Sequence, residues 1–171
     1  MTTRLSSIQI DRVWAMPNHL TFEISPVKEF IEDEERNLPG IIIDPFPHPF
    51  KQDAIEYLKS LPDESTYKVR FDPPYSQRQL REMYDSIGQS LEMNNSYWAN
   101  CRREIARILK PSGKCLSFGW NSAGIGLQYG FQITRIRLVP HGSQHNDTIC
   151  LSETKMQTTL HSIRNVSENE T

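Results

Sequence analysis

The sequence predicts an α/β protein whose mostly parallel sheet is covered by helices on both faces. Strand-like and helix-like runs alternate through residues 40–118. The run Gly40-Ile-Ile-Ile-Asp44-Pro45 is short, apolar and stopped by a proline, the pattern of a buried central parallel strand. Phe131 to Val139 and Thr148 to Thr154 alternate in period two across the polar turn His141–Asp147, which predicts an antiparallel pair at one sheet edge.

The elements follow in order. Val27, Phe30 and Ile31 recur at helical spacing after Ser25, with Pro26 at the first helical position; the acidic run Glu32–Glu35 reads as a solvated helix end. Ala54, Ile55, Leu58 and Leu61 share a helical face that ends at Pro62. Tyr67–Phe71 alternates as a strand. Leu80, Met83, Tyr84 and Ile87 give a helix closed by Gly88, and Trp98, Cys101, Ile105, Ile108 and Leu109 give another, ended by Pro111-Ser-Gly113. Cys115–Phe118 is a strand with a glycine-rich exit. From Lys155 the chain is polar and nonperiodic, so one domain is expected over 1–155 and a polar tail over 156–171.

At 171 residues the chain is roughly one domain by length. No run of about eighteen apolar residues exists to span a bilayer, and a formal charge of -2 confines any nucleic-acid contact to a local basic face. Cys101, Cys115 and Cys150 are odd in number and lack C-x-x-C spacing, so they read as reduced thiols. With no hydrophobic leader in the first twenty residues, a cytoplasmic location is expected. The N-x-[ST] triplets starting at Asn94, Asn146, Asn165 and Asn169 then carry no glycans.

The chemistry is concentrated in Phe71-Asp-Pro-Pro-Tyr-Ser76, where a strand gives way to a helix. In open α/β sheets that is the end at which ligands bind. Two consecutive prolines remove two N–H donors and leave a surface of carbonyl acceptors. Such a surface suits an amino group: Asp72 accepts one hydrogen of an exocyclic amine, the Pro73 carbonyl accepts the other, and Tyr75 offers a stacking face.

Here the chain resembles the amino-methylating DNA methyltransferases, whose motif D/N-P-P-Y/F/W stands as Asp72-Pro73-Pro74-Tyr75. In chain order, Trp14-Ala-Met-Pro-Asn18, Thr21-Phe22, Asp44-Pro-Phe46, Asp53-Ala54, Lys110-Pro-Ser-Gly113, Phe118-Gly-Trp-Asn121 and His145-Asn-Asp-Thr148 extend the likeness to small phage- and prokaryote-type adenine methylases over roughly residues 10–155. The resemblance implies a three-layer, Rossmann-like S-adenosylmethionine-dependent methyltransferase fold and methyl transfer to adenine N6 of a flipped DNA base. It implies Asp72, Pro73, Pro74 and Tyr75 as the catalytic set, with Asp72 polarising the amine without having to abstract a proton. Thr21, Pro26, Asp44, Pro45, Phe46 and Asp53 would hold the cofactor; Ser76, Arg78, Trp120, Asn121 and His145 would meet the substrate.

One departure stands out. After the Asp-Pro-Phe loop the family carries a helix and a second strand ending in a ribose-binding acid, whereas here Asp53 follows Asp44 by nine positions. A parallel crossover needs about a dozen residues. One strand–helix unit is therefore expected to be missing and the nucleoside half of the cofactor site incomplete. The alternatives left open are a noncatalytic methyltransferase-fold protein that binds nucleic acid or another partner, and methylation of cytosine N4 or glutamine. With no separate recognition domain, DNA specificity would come from residues 89–96 and 120–130, from a homo-oligomer or from a second subunit.

Other features have blander readings. Gly119, Gly124, Gly126 and Gly130 lack P-loop spacing and read as a flexible strand exit. His141, His145 and Asp147 lie in a Pro/Gly loop and read as structural, with no metal site expected. Arg78, Arg81, Arg102, Arg103 and Arg107 read as solvated charges, although the first two are placed to touch phosphate. Trp98 reads as core, and Trp14 and Trp120 as loop residues near matched motifs.

Overall fold

β-branched and aromatic residues in period two form the strands, and the apolar stripes traced by spacing above form the helices that cover them. The structure, a computed structural model, describes residues 7–46, 52–74, 76–86, 88, 96–142 and 145–157. Its elements are β1 (Gln9–Arg12), α1 (Ser25–Glu35), β2 (Ile42–Ile43), α2 (Ala54–Ser60), β3 (Thr66–Phe71), α3 (Gln77–Ser86), α4 (Tyr97–Ile108), β4 (Leu109–Gly119), β5 (Phe131–Val139) and β6 (Thr148–Lys155). They build a mixed six-stranded sheet in the order β1-β5-β6-β4-β3-β2. β2, β3 and β4 are mutually parallel, β6 is antiparallel to both β4 and β5, and β1 pairs parallel with β5.

Alternation along β4 separates two cores. Leu116 and Phe118 meet Val27, Phe30 and Ile31 of α1 on one face, while Cys115 joins Leu58, Leu80, Tyr84, Cys101 and Ile105 on the other. All three cysteines are free and buried, and no described helix is long and apolar enough to cross a membrane.

Several expectations are corrected. β2 lies at the sheet edge among the described residues, not at its centre, because no further strand follows it before α2. The β5–β6 pair is antiparallel as expected but internal: β1, whose Gln9–Arg12 segment the sequence reading missed, closes the edge beyond β5. Helix α4 ends at Ile108, before Pro111, and Lys110–Gly113 forms a bulge inside β4, since Thr66 pairs Leu109 while Lys68 pairs Lys114. Ser112 takes φ 66° there.

The acidic run of α1 is only half solvated: Glu32 and Asp33 are exposed, whereas Glu34 and Glu35 turn to the sheet. Glu34 receives Lys114 Nζ at 2.6 Å, the Ser152 hydroxyl at 2.7 Å and Arg135 Nη1 at 3.2 Å. Arg135 and Arg137 in turn grip Asp11 of β1, with Arg137 Nε 2.7 Å from Asp11 Oδ1. Glu35 receives the forked guanidinium of Arg70 at 2.7 and 2.8 Å. Four strands are thus tied to α1 by polar contacts: burial alone would raise the Glu34 carboxyl, but Lys114, Ser152 and Arg135 hold it below 4.5.

Replacing Glu34 with Gln leaves Lys114 without its carboxylate and Arg135 with one partner fewer, and is expected to cost about 3 kcal/mol at pH 7. Because the Glu34 carboxyl is depressed, its stabilisation is present above pH 4.5 and is lost as pH falls through the lowered value. Urea unfolding between pH 7 and pH 3 should therefore show a shallower acid-side loss in E34Q than in the parent.

Candidate active site

The site gathers at the carboxyl ends of β2 and β3. Asp44 follows β2 and turns back so that its Oδ1 accepts the Phe46 N–H at 2.9 Å, a side-chain-closed turn that fixes the loop. Asp72 follows β3, and Thr21, in the 3-10 turn Thr21–Glu23 just before α1, lies near enough for its hydroxyl to favour the ionised carboxylate. Burial pushes Asp72 up to about 7; the nearby Thr21 hydroxyl opposes this, and the charge of Asp44 adds to it. Burial likewise raises Asp44, against the Phe46 N–H and the field of Arg70. Arg70 does not neutralise this pair, because its fork is spent on Glu35. Two half-buried carboxylates with a hydroxyl between neighbouring segments make an acceptor-rich cluster suited to a cation.

Beside it, Pro73 and Pro74 line a cavity of about 230 Å³. Phe71, Trp98, Phe118 and Trp120 supply aromatic surface, and Ser117, Asn121 and Arg102 supply polar atoms. A space of about 150 Å³ is enough for a benzene ring. Its far wall is the turn after β4, where Glu153, fully buried in β6, accepts the N–H groups of Ile125 at 2.7 Å and Gly126 at 3.0 Å. A Cβ on Gly124 would collide with that carboxylate, and its φ is 54°, so this glycine is required by close approach.

The expected site residues divide. Thr21, Asp44 and Asp72 are brought together, and Pro45 is buried beside them in the same turn. Phe46 packs on Phe71 and Trp98 at 6.0 and 6.3 Å between ring centres. Pro26 is buried in the first turn of α1, and its carbonyl accepts from Arg137 Nη1 at 3.0 Å, so it serves the fold.

Asp53 caps α2, accepting Glu56 N–H at 3.0 Å on Oδ1, while Oδ2 accepts the hydroxyls of Tyr84 and Tyr97 at 3.0 and 3.1 Å. Of about four acceptor positions on a carboxylate, three are in use.

Tyr75 lies outside the described residues, as do Pro47–Lys51 and residues 89–95. Ser76 accepts from Gln79 N–H at 3.1 Å, and Arg78 pairs with Glu82 at 2.7 Å on the solvent side of α3. Trp120 is 49% exposed at the cavity rim. Asn121 Oδ1 accepts Ala123 N–H at 2.9 Å.

His145 is exposed. His141 is buried and pinned between the Ala15 carbonyl and Thr148 Oγ1, both at 2.9 Å; no metal-binding cluster occurs among the described residues.

Sequence reasoning missed the cavity face of α4. Arg102 lies one turn beyond Trp98 and lines the cavity with it; the i, i+4 relation to Trp98 was the available signal. Arg107 is likewise not simply solvated: it donates to the Leu58 and Leu61 carbonyls at 2.9 and 2.8 Å and pairs with Asp63.

No protein-family model and no curated protein matches the chain. Among solved structures, the chain is similar to TTHA0409 of Thermus thermophilus, a candidate DNA modification methylase. In its selenomethionine form the match has 21% identity and TM-score 0.43, covering 63% of this chain and 53% of that one. A second structure of TTHA0409 matches with 17% identity and TM-score 0.41, covering 66% and 57%. The chain thus spans little more than half the length of these structures.

The raised Asp72 carboxyl has a measurable cost. A carboxyl whose folded value is near 7 binds more protons folded than unfolded between about pH 4 and 7, so stability falls as pH rises through that window. Asp72→Asn removes this loss and should stabilise the free protein by about 1–3 kcal/mol at pH 8 while changing little at pH 4, measured by urea unfolding at the two pH values.

Proposed function

We propose that the chain is an S-adenosylmethionine-dependent DNA methyltransferase acting on adenine N6, built on a shortened methyltransferase fold. The observation that carries this reading is the convergence of Thr21, Asp44 and Asp72 beside the cavity lined by Pro73 and Pro74.

The residues present fit the amino-acid end of the cofactor. Asp44 and Asp72 form an anionic pair to which no described Lys or Arg is bonded, the complement of an α-ammonium. When bound, S-adenosylmethionine supplies a methyl group made electrophilic by its sulfonium. The chain's own part is to present the amine. Asp72 and the Pro73 carbonyl accept its two hydrogens, directing the nitrogen lone pair away from the ring plane and stabilising the positive charge that grows on nitrogen. The proton that nitrogen sheds passes to Asp72, whose elevated proton affinity suits it to receive one.

A second reading has its own observation. β2 ends the sheet among the described residues, and Asp53 is largely committed to Tyr84, Tyr97 and the α2 cap. No described residue is then left in the place of a ribose-binding acid, which favours a noncatalytic protein that keeps the acceptor cavity for nucleic acid. Cytosine N4 and glutamine remain acceptors of the same chemistry.

Calorimetric titration with S-adenosylhomocysteine separates the readings: heat at micromolar to millimolar ligand supports the enzyme, and none at millimolar ligand supports the binder. With labelled S-adenosylmethionine and unmethylated DNA, label is expected in N6-methyladenine. Transfer should increase with pH through about 7 as Asp72 ionises. Asp72→Ala should reduce it at least about a hundredfold; equal incorporation by that variant would remove the mechanism. Label in cytosine or in a glutamine-containing peptide would move the assignment to those acceptors.

A further inference from the structure

The cavity has one polar wall that the mechanism above leaves unused. Arg102 lines it from α4, and its Nε is buried with no hydrogen-bond acceptor among the described residues. The neighbouring arginines of α4 are spent on the protein: Arg103 donates to Asn100 Oδ1 at 3.1 Å, and Arg107 pairs with Glu104 and Asp63. The carboxylate that feels Arg102, Glu153, is bonded to the Ile125 and Gly126 N–H groups and meets Arg102 only through its field. A buried charged donor without an acceptor is costly, and such an atom beside an open cavity marks the place of an absent acceptor.

The rest of the wall says what kind of acceptor. Phe71, Trp98, Phe118 and Trp120 give the cavity flat apolar surface, and Pro73 and Pro74 stiffen its rim. Pro73, which has no N–H, brings only a backbone acceptor to the wall, and ionised Asp72, its neighbour in the chain just outside the lining, adds another; Arg102 offers only donors. A ring with an exocyclic amine and a ring nitrogen carries the opposite pattern, donors on the amine and an acceptor in the ring. We propose that Arg102 donates from Nε to a ring nitrogen of the amino heterocycle held in this cavity, and so selects purines that carry that nitrogen.

This deepens the methyltransferase reading and rests on it for the identity of the bound group. Donation to the ring draws electron density from the amine, so Arg102 contributes to binding and selection, not to the rate of transfer. Its loss therefore appears in KM, with kcat nearly preserved.

The test uses the full chain and DNA duplexes whose target adenine is replaced by 1-deaza-, 3-deaza- or 7-deazaadenine. The parent should lose about tenfold or more in kcat/KM, through KM, on one of the three. Arg102→Met should lose as much on unmodified DNA and become indifferent to that same replacement, while Arg102→Lys recovers part of the loss. If the parent accepts all three analogues as well as adenine, or Arg102→Met still discriminates among them, the proposal is overturned. A residue that merely offsets the charge of Glu153 would lower the melting temperature and leave the analogue pattern intact, which also overturns it. Failure of the parent to methylate any DNA removes the enzymatic reading instead. The same comparison is then made by NMR titration with 9-methyladenine and its deaza analogues: an Arg102-dependent preference for one ring nitrogen supports the proposal, and equal or absent binding of all of them ends it.

Discussion

A carboxylate buried under a helix holds the site's geometry in place. Glu34 sits on the underside of α1 and binds Lys114 of β4, Arg135 of β5 and Ser152 of β6, while Arg135 also reaches Asp11 of β1. An apolar face alone would let α1 slide along the sheet, since hydrophobic contact is non-directional. Charge-assisted hydrogen bonds are short and oriented, so they fix the helix in register. The chain enters α1 through Pro26, and the turn immediately before it carries Thr21 to Asp72. Register under the helix is thereby converted into position at the acceptor carboxylate.

The site in turn spends part of what this network secures. Asp72 and Asp44 are like charges held near one another and away from bulk water, and both carboxyls are raised by burial. Such a pair is unfavourable for the free protein and favourable for a protein with a cation between its carboxylates. Rigid prolines after Asp72 and a side-chain-closed turn after Asp44 prevent the two from relaxing apart. The fixed placement of the two carboxylates and the cost of holding them together have one structural origin.

Much of this was legible in the sequence, and the rest failed for a common reason. The alternation over 40–118, the β5 and β6 runs and the proline-locked motif after β3 all follow from period and turn chemistry. What escaped were charged residues standing in the inward phase of an apolar pattern. Glu34 follows Val27, Phe30 and Ile31 at the next position of their stripe, and Arg102 follows Trp98 in the same way. Arg135 and Arg137 occupy inward places on β5 alongside Val139. Composition reads such residues as solvent-facing; phase reads them as buried and therefore partnered. Glu34, Arg135 and Arg137 are ion-paired within the protein, although Arg135 Nε, like Arg102 Nε, has no acceptor among the described residues; for Arg102 that atom stands beside the cavity. Strand order was beyond reach for another reason: β1 joins β5 from the far end of the chain, and pairing at that separation leaves no local signal.

Asp53 ties the helical layer together next to the edge strand β2. At the start of α2 stands a carboxylate that caps the helix and gathers the hydroxyls of Tyr84 on α3 and Tyr97 on α4. Tyr84 also accepts the Ala54 N–H at 2.9 Å, and the two tyrosine hydroxyls lie 3.0 Å apart. Three helices are thus knotted at one point beside the edge strand. Beside β2, the helical layer is braced from within. β2 itself is held by only two paired residues. Asp53, which the resemblance assigns to the cofactor, is held here by the α2 cap and two tyrosine hydroxyls, with about one of its acceptor positions left open.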